Sequence, residues 1–485
     1  MNFNSLLQGF PASATALVTI DHNGDRRVYA FGEIEARAAG LSGALADRGV
    51  SRGDVVMTLV GNRIEWVLSM LACFRIGAIA LPCNTQLRRG DIELRQAVAA
   101  PKLVIAEERL GPEIPPTLEV MSLAEVARAL DEDRAQAPPA EPAELAPSDP
   151  CLLVFTSGTT GEARAALHPQ SYLFGQATQA EHWFGARHGD LAWCAAASGW
   201  SKSARNAFVA PWLRGAAALL HDGRFDPAER LEICAREQVN LLCQSPTEYR
   251  MMAKRIDLHE LPAMRRMVSA GEPLNPEVIR VFRTATGLDI NDGYGQTEIG
   301  AITGSLVDQP VRDGSMGLPL PGIKLRVEQG ELQIAPGTCP TFFSGYLDVR
   351  SGLIPPPLSD DGWWATGDEV RRDDNGYLWY QGRRDDVIVS SGYRIGPFEV
   401  ESALLSHPDV AEAAVVAAPD PERGAVVRAI VVPRGVEPSE QLADRLRAHV
   451  RAVTAPYKYP RIVEFATELP KTTSGKIKRA ELRIS

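Results

Sequence analysis

The chain has 485 residues, 45% of them apolar and 23% charged, and carries a formal charge of −10. That length and apolar content support a large packed core and more than one domain. The acid excess argues against an extended nucleic-acid footprint, which needs a concentrated basic face.

The N-terminal stretch MNFNSLLQGFPASATALVTIDH has no basic segment leading into a continuous apolar one. No run reaches the roughly 18 apolar residues of a membrane span. Trp66 to Pro82 and Ala207 to Leu220 come nearest, and Arg75 and Arg214 interrupt them. The seven cysteines (73, 83, 151, 194, 234, 243 and 339) make no C-x-x-C pair and no metal-ligand spacing. They read as small buried hydrophobes in a reducing compartment, and the expected location is the cytoplasm.

In chain order, Ile34, Ala38, Leu41, Leu45 and Ala46 recur at helical spacing, with Gly49 as a C-cap. Val55 to Val60 reads as a buried strand, Glu65 to Arg75 as a helix, and Ile79–Pro82 and Leu103–Ala106 as strands. This alternation predicts an α/β fold with a parallel sheet and helices on both faces. The Pro/Ala/acidic segment from Leu130 to Asp149 is expected to be an exposed connection. Gly322 to Gly345, rich in Val, Leu, Ile and Phe with glycine turns, predicts a small β-rich subdomain. The last hundred residues read as a compact α/β module, with the domain boundary at Asp385.

The stretch Cys151 to Gly161, CLLVFTSGTTG, is the point of organisation. An apolar strand runs into hydroxyls and glycines, as a phosphate-binding nest requires, and a flexible Ser/Thr/Gly loop is the plain alternative. It is not a Walker loop, because the G-x-x-x-x-G-K-[ST] spacing is absent. Gly199-Trp200-Ser-Lys202-Ser-Ala-Arg205 places an aromatic plane beside two cations. Trp200 suits the wall of an apolar pocket. Lys202 and Arg205 read first as solvated surface charges, with an anionic substrate group as the alternative. Met267 to Pro273 and Asp289 to Glu298 both run from strand into turn. In the second, Tyr294, Gln296, Thr297 and Glu298 offer an aromatic plane, an amide, a hydroxyl and a carboxylate, suited to a base, a phosphate and a divalent cation. Asp368, in Trp364-Ala-Thr-Gly-Asp368, suits a ribose diol, while His168 alone reads as a structural histidine.

FTSGTTG, DGYGQTE, WATGD, GRRDDVIVSSGYRIGPFEVE and PKTTSGKIKR, preceded by GVSRGDVVMTLVGNRIEW, occur in this order over essentially the whole chain. Together they resemble the adenylate-forming superfamily of acyl-CoA synthetases, nonribosomal adenylation domains and luciferases. GWSKSARNAFVAPW, SSGYRIGPFEVESALLSHPDV and VTAPYKYPRIVEF bring the chain nearest to the medium-chain and benzoate-type acyl-CoA synthetases. The resemblance implies a large N-terminal domain of doubly wound sheets with a β-barrel-like subdomain (1–384). A small mobile α+β C-terminal domain follows (385–485). It also implies an AMP-forming ligase using ATP, Mg²⁺ and coenzyme A on an aromatic, cyclic or medium-chain carboxylic acid.

Carried over residue by residue, the resemblance puts Thr156, Ser157, Gly158, Thr159, Thr160 and Gly161 on the β- and γ-phosphates. Glu298 and Thr156 are implied to hold the metal. Gly271, Glu272, Pro273, Asp292, Gly293 and Tyr294 frame the adenine, with Gln296 and Thr297 beside them. Asp368 faces the ribose, with Arg383 and Tyr380 nearby, and Lys476 bridges the carboxylate and the α-phosphate. Trp200, Ala270 and Gly295 line the acyl pocket, and Asp385 is the hinge. Gly392 flanks the pantetheine tunnel, with Arg394 beside it, and Lys458 and Arg461 are candidates for coenzyme A phosphates. One departure stands out: the phosphate loop continues Gly161-Glu162-Ala163-Arg164 where the family usually has proline and lysine. A planar guanidinium is not a compact ammonium. A half-enzyme taking a ready-made acyl-adenylate therefore stands beside full two-step ligation. Loading of a carrier-protein pantetheine, a non-catalytic nucleotide-binding protein and a luciferase-like oxygenase are further alternatives. A homodimer is the default oligomer.

Overall fold

The computed structural model describes residues 2–130, 138–156, 164–348, 350–390, 393–471 and 477–484. Ser157 to Gly161, Gly392 and Lys476 therefore lie outside the described residues, as does the side chain of Arg394.

Two large sheets carry the first part of the chain. In the eight-stranded sheet, Val120–Ser122, Leu103–Ala106, Val55–Leu59, Ile79–Pro82 and Pro150–Thr156 run parallel in that spatial order. Arg164–Pro169, Gly345–Asp348 and Gly352–Ile354 extend it antiparallel. The nine-stranded sheet has six parallel strands, in the order Ile290–Gln296, Arg266–Ala270, Leu241–Gln244, Leu191–Cys194, Ala217–His221 and Thr15–Ile20. Every residue of Val55–Leu59 and of Leu241–Gln244 is buried, as strands covered on both faces require. The helix expected from the Ile34 to Leu45 spacing spans Phe31–Asp47, and Gly49 follows at φ +76°, a left-handed value that favours glycine. All seven cysteines are buried and free.

Two expectations need correction. The connection before Asp149 is not simply exposed. In its described part the Ala143 amide donates to the Arg75 carbonyl (2.8 Å), the Arg75 Nε donates to the Ala140 carbonyl (2.8 Å), and Leu145 is buried. A connection with such anchors is held against the core by hydrogen bonds to its main chain that composition does not reveal. The β-rich subdomain is a four-stranded antiparallel sheet, and Gly322 to Gly345 supplies only Leu325–Glu328 and Glu331–Ile334. Trp364–Arg372 and Leu378–Arg383 complete it, while Gly345 begins a strand of the eight-stranded sheet.

The C-terminal part folds on its own apolar cluster, including Val400, Leu404, Val415, Val431 and Leu446. Val410–Asp420 and Gly424–Pro433 form a long antiparallel ribbon, to which Ile462–Phe465 adds in parallel. It touches the larger part where Lys254 Nζ donates to the Ala411 carbonyl at 2.8 Å.

Candidate active site

The strands Pro150–Thr156, Arg266–Ala270 and Ile290–Gln296 all deliver their carboxyl ends to one cavity of about 3090 Å³. This is where open α/β sheets place ligands. Thr156, Gly271, Glu272, Pro273, Asp292, Gly293, Tyr294, Gln296, Thr297 and Glu298 line it. So do Trp200, Ala270, Gly295, Asp368, Tyr380, Arg383 and Asp385. Lys458 and Arg461 are not among the lining residues. Lys458 is ion-paired with Glu399, and the Arg461 guanidinium lies 5.1 Å from the Tyr459 ring centroid. Arg394 sits in the strand Tyr393–Ile395, paired with Val389. Lys471 and Ile477, which flank the segment holding Lys476, bridge to one another and both line the cavity.

Asp368 accepts three side-chain hydrogen bonds in this wall. Tyr294 Oη and Gln296 Nε2 both donate to its Oδ2 at 2.6 Å, and Arg383 Nη1 donates to Oδ1 at 3.0 Å. Burial pushes its pKa up, and the Arg383 charge with the Tyr294 and Gln296 donors holds it back. The four-stranded sheet makes this arrangement, because Asp368 and Arg383 are paired across adjacent antiparallel strands. Asp292 is also buried; its Oδ1 accepts from the Gly293 amide at 3.0 Å, and burial raises its pKa well above the ordinary carboxyl range.

In the strand Ile290–Gln296 close approach requires glycine at Gly293 and Gly295. A Cβ on Gly295 would lie 1.8 Å from the Gly300 carbonyl oxygen, and one on Gly293 would lie 2.5 Å from the Trp183 ring. These contacts let the backbone of this strand end pack directly against the neighbouring strand and the buried Trp183.

Three features escape a sequence reading. Tyr346 Oη donates to Glu298 Oε1 at 2.8 Å, and the Arg164 guanidinium lies 5.2 Å from the Tyr346 ring centroid. Burial and then the Glu298 charge push the Tyr346 phenol up. Thr156 and Arg164 face each other across a hairpin, so the substituted Arg164 stands beside the residues that hold Glu298. Glu331 accepts from the Gly367 amide at 3.0 Å and pairs with Arg384, steadying the turn before Asp368. No local pattern marks Tyr346 or Glu331; strand pairing brings them in. The third is a correction: Arg205 is 6% exposed and lines the cavity, so it is not a solvated surface charge. Lys202 is half-buried, and its Nζ donates to the Ala270 carbonyl at 3.0 Å.

The profile of the AMP-binding enzyme family matches residues 5–351, and that of the AMP-binding enzyme C-terminal domain matches residues 399–476. The chain belongs to the AMP-binding enzyme family. It is 38% identical to an uncharacterized acyl-CoA ligase of Bacillus subtilis, over 97% of this chain and 92% of that one. It is 36% identical to the mitochondrial acyl-coenzyme A synthetase ACSM4 of Rattus norvegicus, covering 96% and 86% of the two chains. A solved anthranilate CoA ligase in complex with anthranoyl-AMP superposes with a TM-score of 0.88 at 28% identity, covering 99% of this chain and 96% of that one. A benzoate CoA ligase from Burkholderia xenovorans LB400 superposes with a TM-score of 0.87 at 26% identity, covering all of both chains. By family and relatives alike, the chain is an AMP-forming acyl-CoA synthetase. It adenylates an acid with ATP and forms a coenzyme A thioester. Among the described residues, no helix is long and apolar enough to cross a membrane.

Proposed function

We propose that this cavity runs both half-reactions on an aromatic, cyclic or medium-chain acid, with the roles divided among its walls as follows. The acid's carboxylate attacks the α-phosphorus of ATP, the bond to the β-phosphate oxygen breaks, and pyrophosphate leaves. The thiol of coenzyme A then attacks the acyl carbonyl, losing its proton, and AMP departs. Asp368, oriented by Tyr294, Gln296 and Arg383, accepts hydrogen bonds from the ribose diol. The turn from Gly271 to Pro273 and the backbone from Asp292 to Tyr294 frame the adenine. Lys476 supplies positive charge where it develops between carboxylate and α-phosphate.

Thr156 to Gly161 hold the outer phosphates, and Arg164 adds charge at their edge. Glu298 and Thr156 would hold Mg²⁺, which would neutralise the departing pyrophosphate. The fit is good: the one hydrogen bond on the Glu298 carboxylate among the described residues is from Tyr346 to Oε1, which leaves Oε2 free. No cluster of three or more His, Cys, Asp or Glu side chains forms a complete metal cage among the described residues. A magnesium ion here would be bound through the Glu298 carboxylate plus substrate phosphates and water.

The single observation carrying this reading is the convergence of Asp368, Arg383, Glu298 and the Gly271 turn on one cavity. Its test is Lys476→Ala, assayed in each half-reaction. Acid-dependent pyrophosphate release should fall by at least ~100-fold, in line with loss of one charge-stabilising donor. Thioester formation from supplied acyl-adenylate should persist; equal loss of both would refute the role.

A further inference from the structure

Four arginines are buried in the described residues: Arg75, Arg205, Arg230 and Arg266. Three are bonded or paired to residues outside their own helix or strand. Arg230 pairs with Glu248 at 3.5 Å and lies 4.3 Å from the Trp193 ring centroid. Arg266 donates to the Trp183 and Ser305 carbonyls at 2.9 and 2.6 Å, and Arg75 donates to the Ala140 carbonyl at 2.8 Å. Arg205 is different. Its one hydrogen bond among the described residues is to the Ser201 hydroxyl, one turn back on its own helix, at 3.0 Å. Its Nε is buried without a hydrogen-bond partner, and among the described residues no carboxylate lies within ion-pair distance. The neutral neighbours His168 and Asn206 do not balance the charge.

A guanidinium cannot escape this cost by losing its proton, and a buried unpaired charge is expensive. Yet the side chain faces a cavity large enough for a ligand. Lys202, three residues earlier on the same short helix, also lines the cavity, and among the described residues it has no carboxylate within ion-pair distance. Its bond to Ala270 links this cationic corner to the wall that continues as Gly271 and Glu272. The corner thus adjoins the proposed acyl pocket of Trp200, Ala270 and Gly295.

We propose that this chain activates a dicarboxylic acid, one carboxylate entering the reaction while the second pairs with the Arg205 guanidinium, with Lys202 adding to the field. The inference rests on the proposed acid activation and names its substrate class. A guanidinium fork matches a carboxylate bidentately, which supplies the missing partner. A monoacid of equal length would press an apolar end against the unpaired cation, a mismatch that polar sites reject strongly.

The test is acid-dependent pyrophosphate release with Mg-ATP, using length-matched pairs: butanoate and succinate, hexanoate and adipate, and benzoate with its ortho-, meta- and para-carboxylated forms. At least one diacid should exceed its monoacid partner by about 10- to 100-fold in kcat/KM, the size of one charge-assisted hydrogen-bonded contact. Arg205→Met should collapse that ratio, chiefly through KM, and Arg205→Lys should restore part of it. The wild-type pairs decide the matter even if Arg205→Met does not fold. Turnover of monoacids with every diacid poorer overturns the dicarboxylate inference alone, as does a ratio unchanged in Arg205→Met. Silence with all acids overturns the acid activation itself, and the inference with it.

Discussion

His168 lies in the strand Arg164–Pro169 with its ring centroid 4.1 Å from that of Tyr172, and neither ring nitrogen finds a hydrogen-bond partner. Burial, followed by the Arg205 charge, pushes its pKa down to about 3, against a weak opposing pull from the Thr297 backbone. The imidazole is therefore neutral in the folded protein at pH 7 and charges in the unfolded chain near the ordinary 6.5. Between those values the unfolded state binds more protons, so stability falls as pH drops through the window from 6.5 to 3. At pH 5 the loss from this one group is about 2 kcal/mol relative to pH 7. All eight tryptophans precede Asp385, so fluorescence-detected urea unfolding reports on the larger part of the chain. His168→Phe should flatten the decline in that transition between pH 7 and pH 5. An unchanged slope would show that other groups set the acid sensitivity. The sequence marks His168 as structural, and its complete burial agrees. Arg205 was not legible in the same way, because the spacing of a six-residue helix does not say which face meets a cavity.

The segment joining the four-stranded sheet to the C-terminal part is short and held from a distance. The Arg384 amide donates to the Gly367 carbonyl at 2.8 Å, and the Asp386 amide donates to the Arg383 carbonyl at 2.8 Å. From the helix Arg479–Ile484, Arg483 Nη2 donates to the Asp385 carbonyl at 2.9 Å and pairs with Asp386. We propose Asp385 as the hinge; it is an exposed position whose amide donates to no group among the described residues. Proline there costs no hydrogen bond but fixes φ near −65°. Asp385→Pro should leave pyrophosphate release within a few-fold of wild type and slow thioester formation by ~100-fold, as loss of a conformational step predicts. If single-turnover assays show both half-reactions unchanged, the hinge lies elsewhere. In the sequence the boundary is placed at Asp385 by a change of character around Gly382-Arg383-Arg384. Its clamp was not legible there, since Arg483 is 98 residues away. Tyr346 and Glu298, 48 residues apart, make the same point.

Across the whole molecule, the buried strands were the most legible part. Ile79–Pro82 and Leu103–Ala106 form over the residues expected, because continuous apolar runs bounded by turns have one stable reading between two helical layers. The antiparallel sheet was less legible, because its strands come from two separated stretches and meet only on folding. The candidate site residues come from six motifs in order, and strand ends from two sheets bring most of them to one cavity. The contacts that tune them, on Asp368, Glu298 and Arg205, arise from tertiary pairing and carry no local signature. The central claim is that this cavity activates an acid with ATP and passes it to coenzyme A. The direct test is acid-dependent pyrophosphate release with Mg-ATP over medium-chain, aromatic and dicarboxylic acids, each with and without coenzyme A. Release that requires a particular acid and accelerates with coenzyme A is the predicted result. Silence with every acid, together with thioester formation from supplied acyl-adenylates, would contradict it.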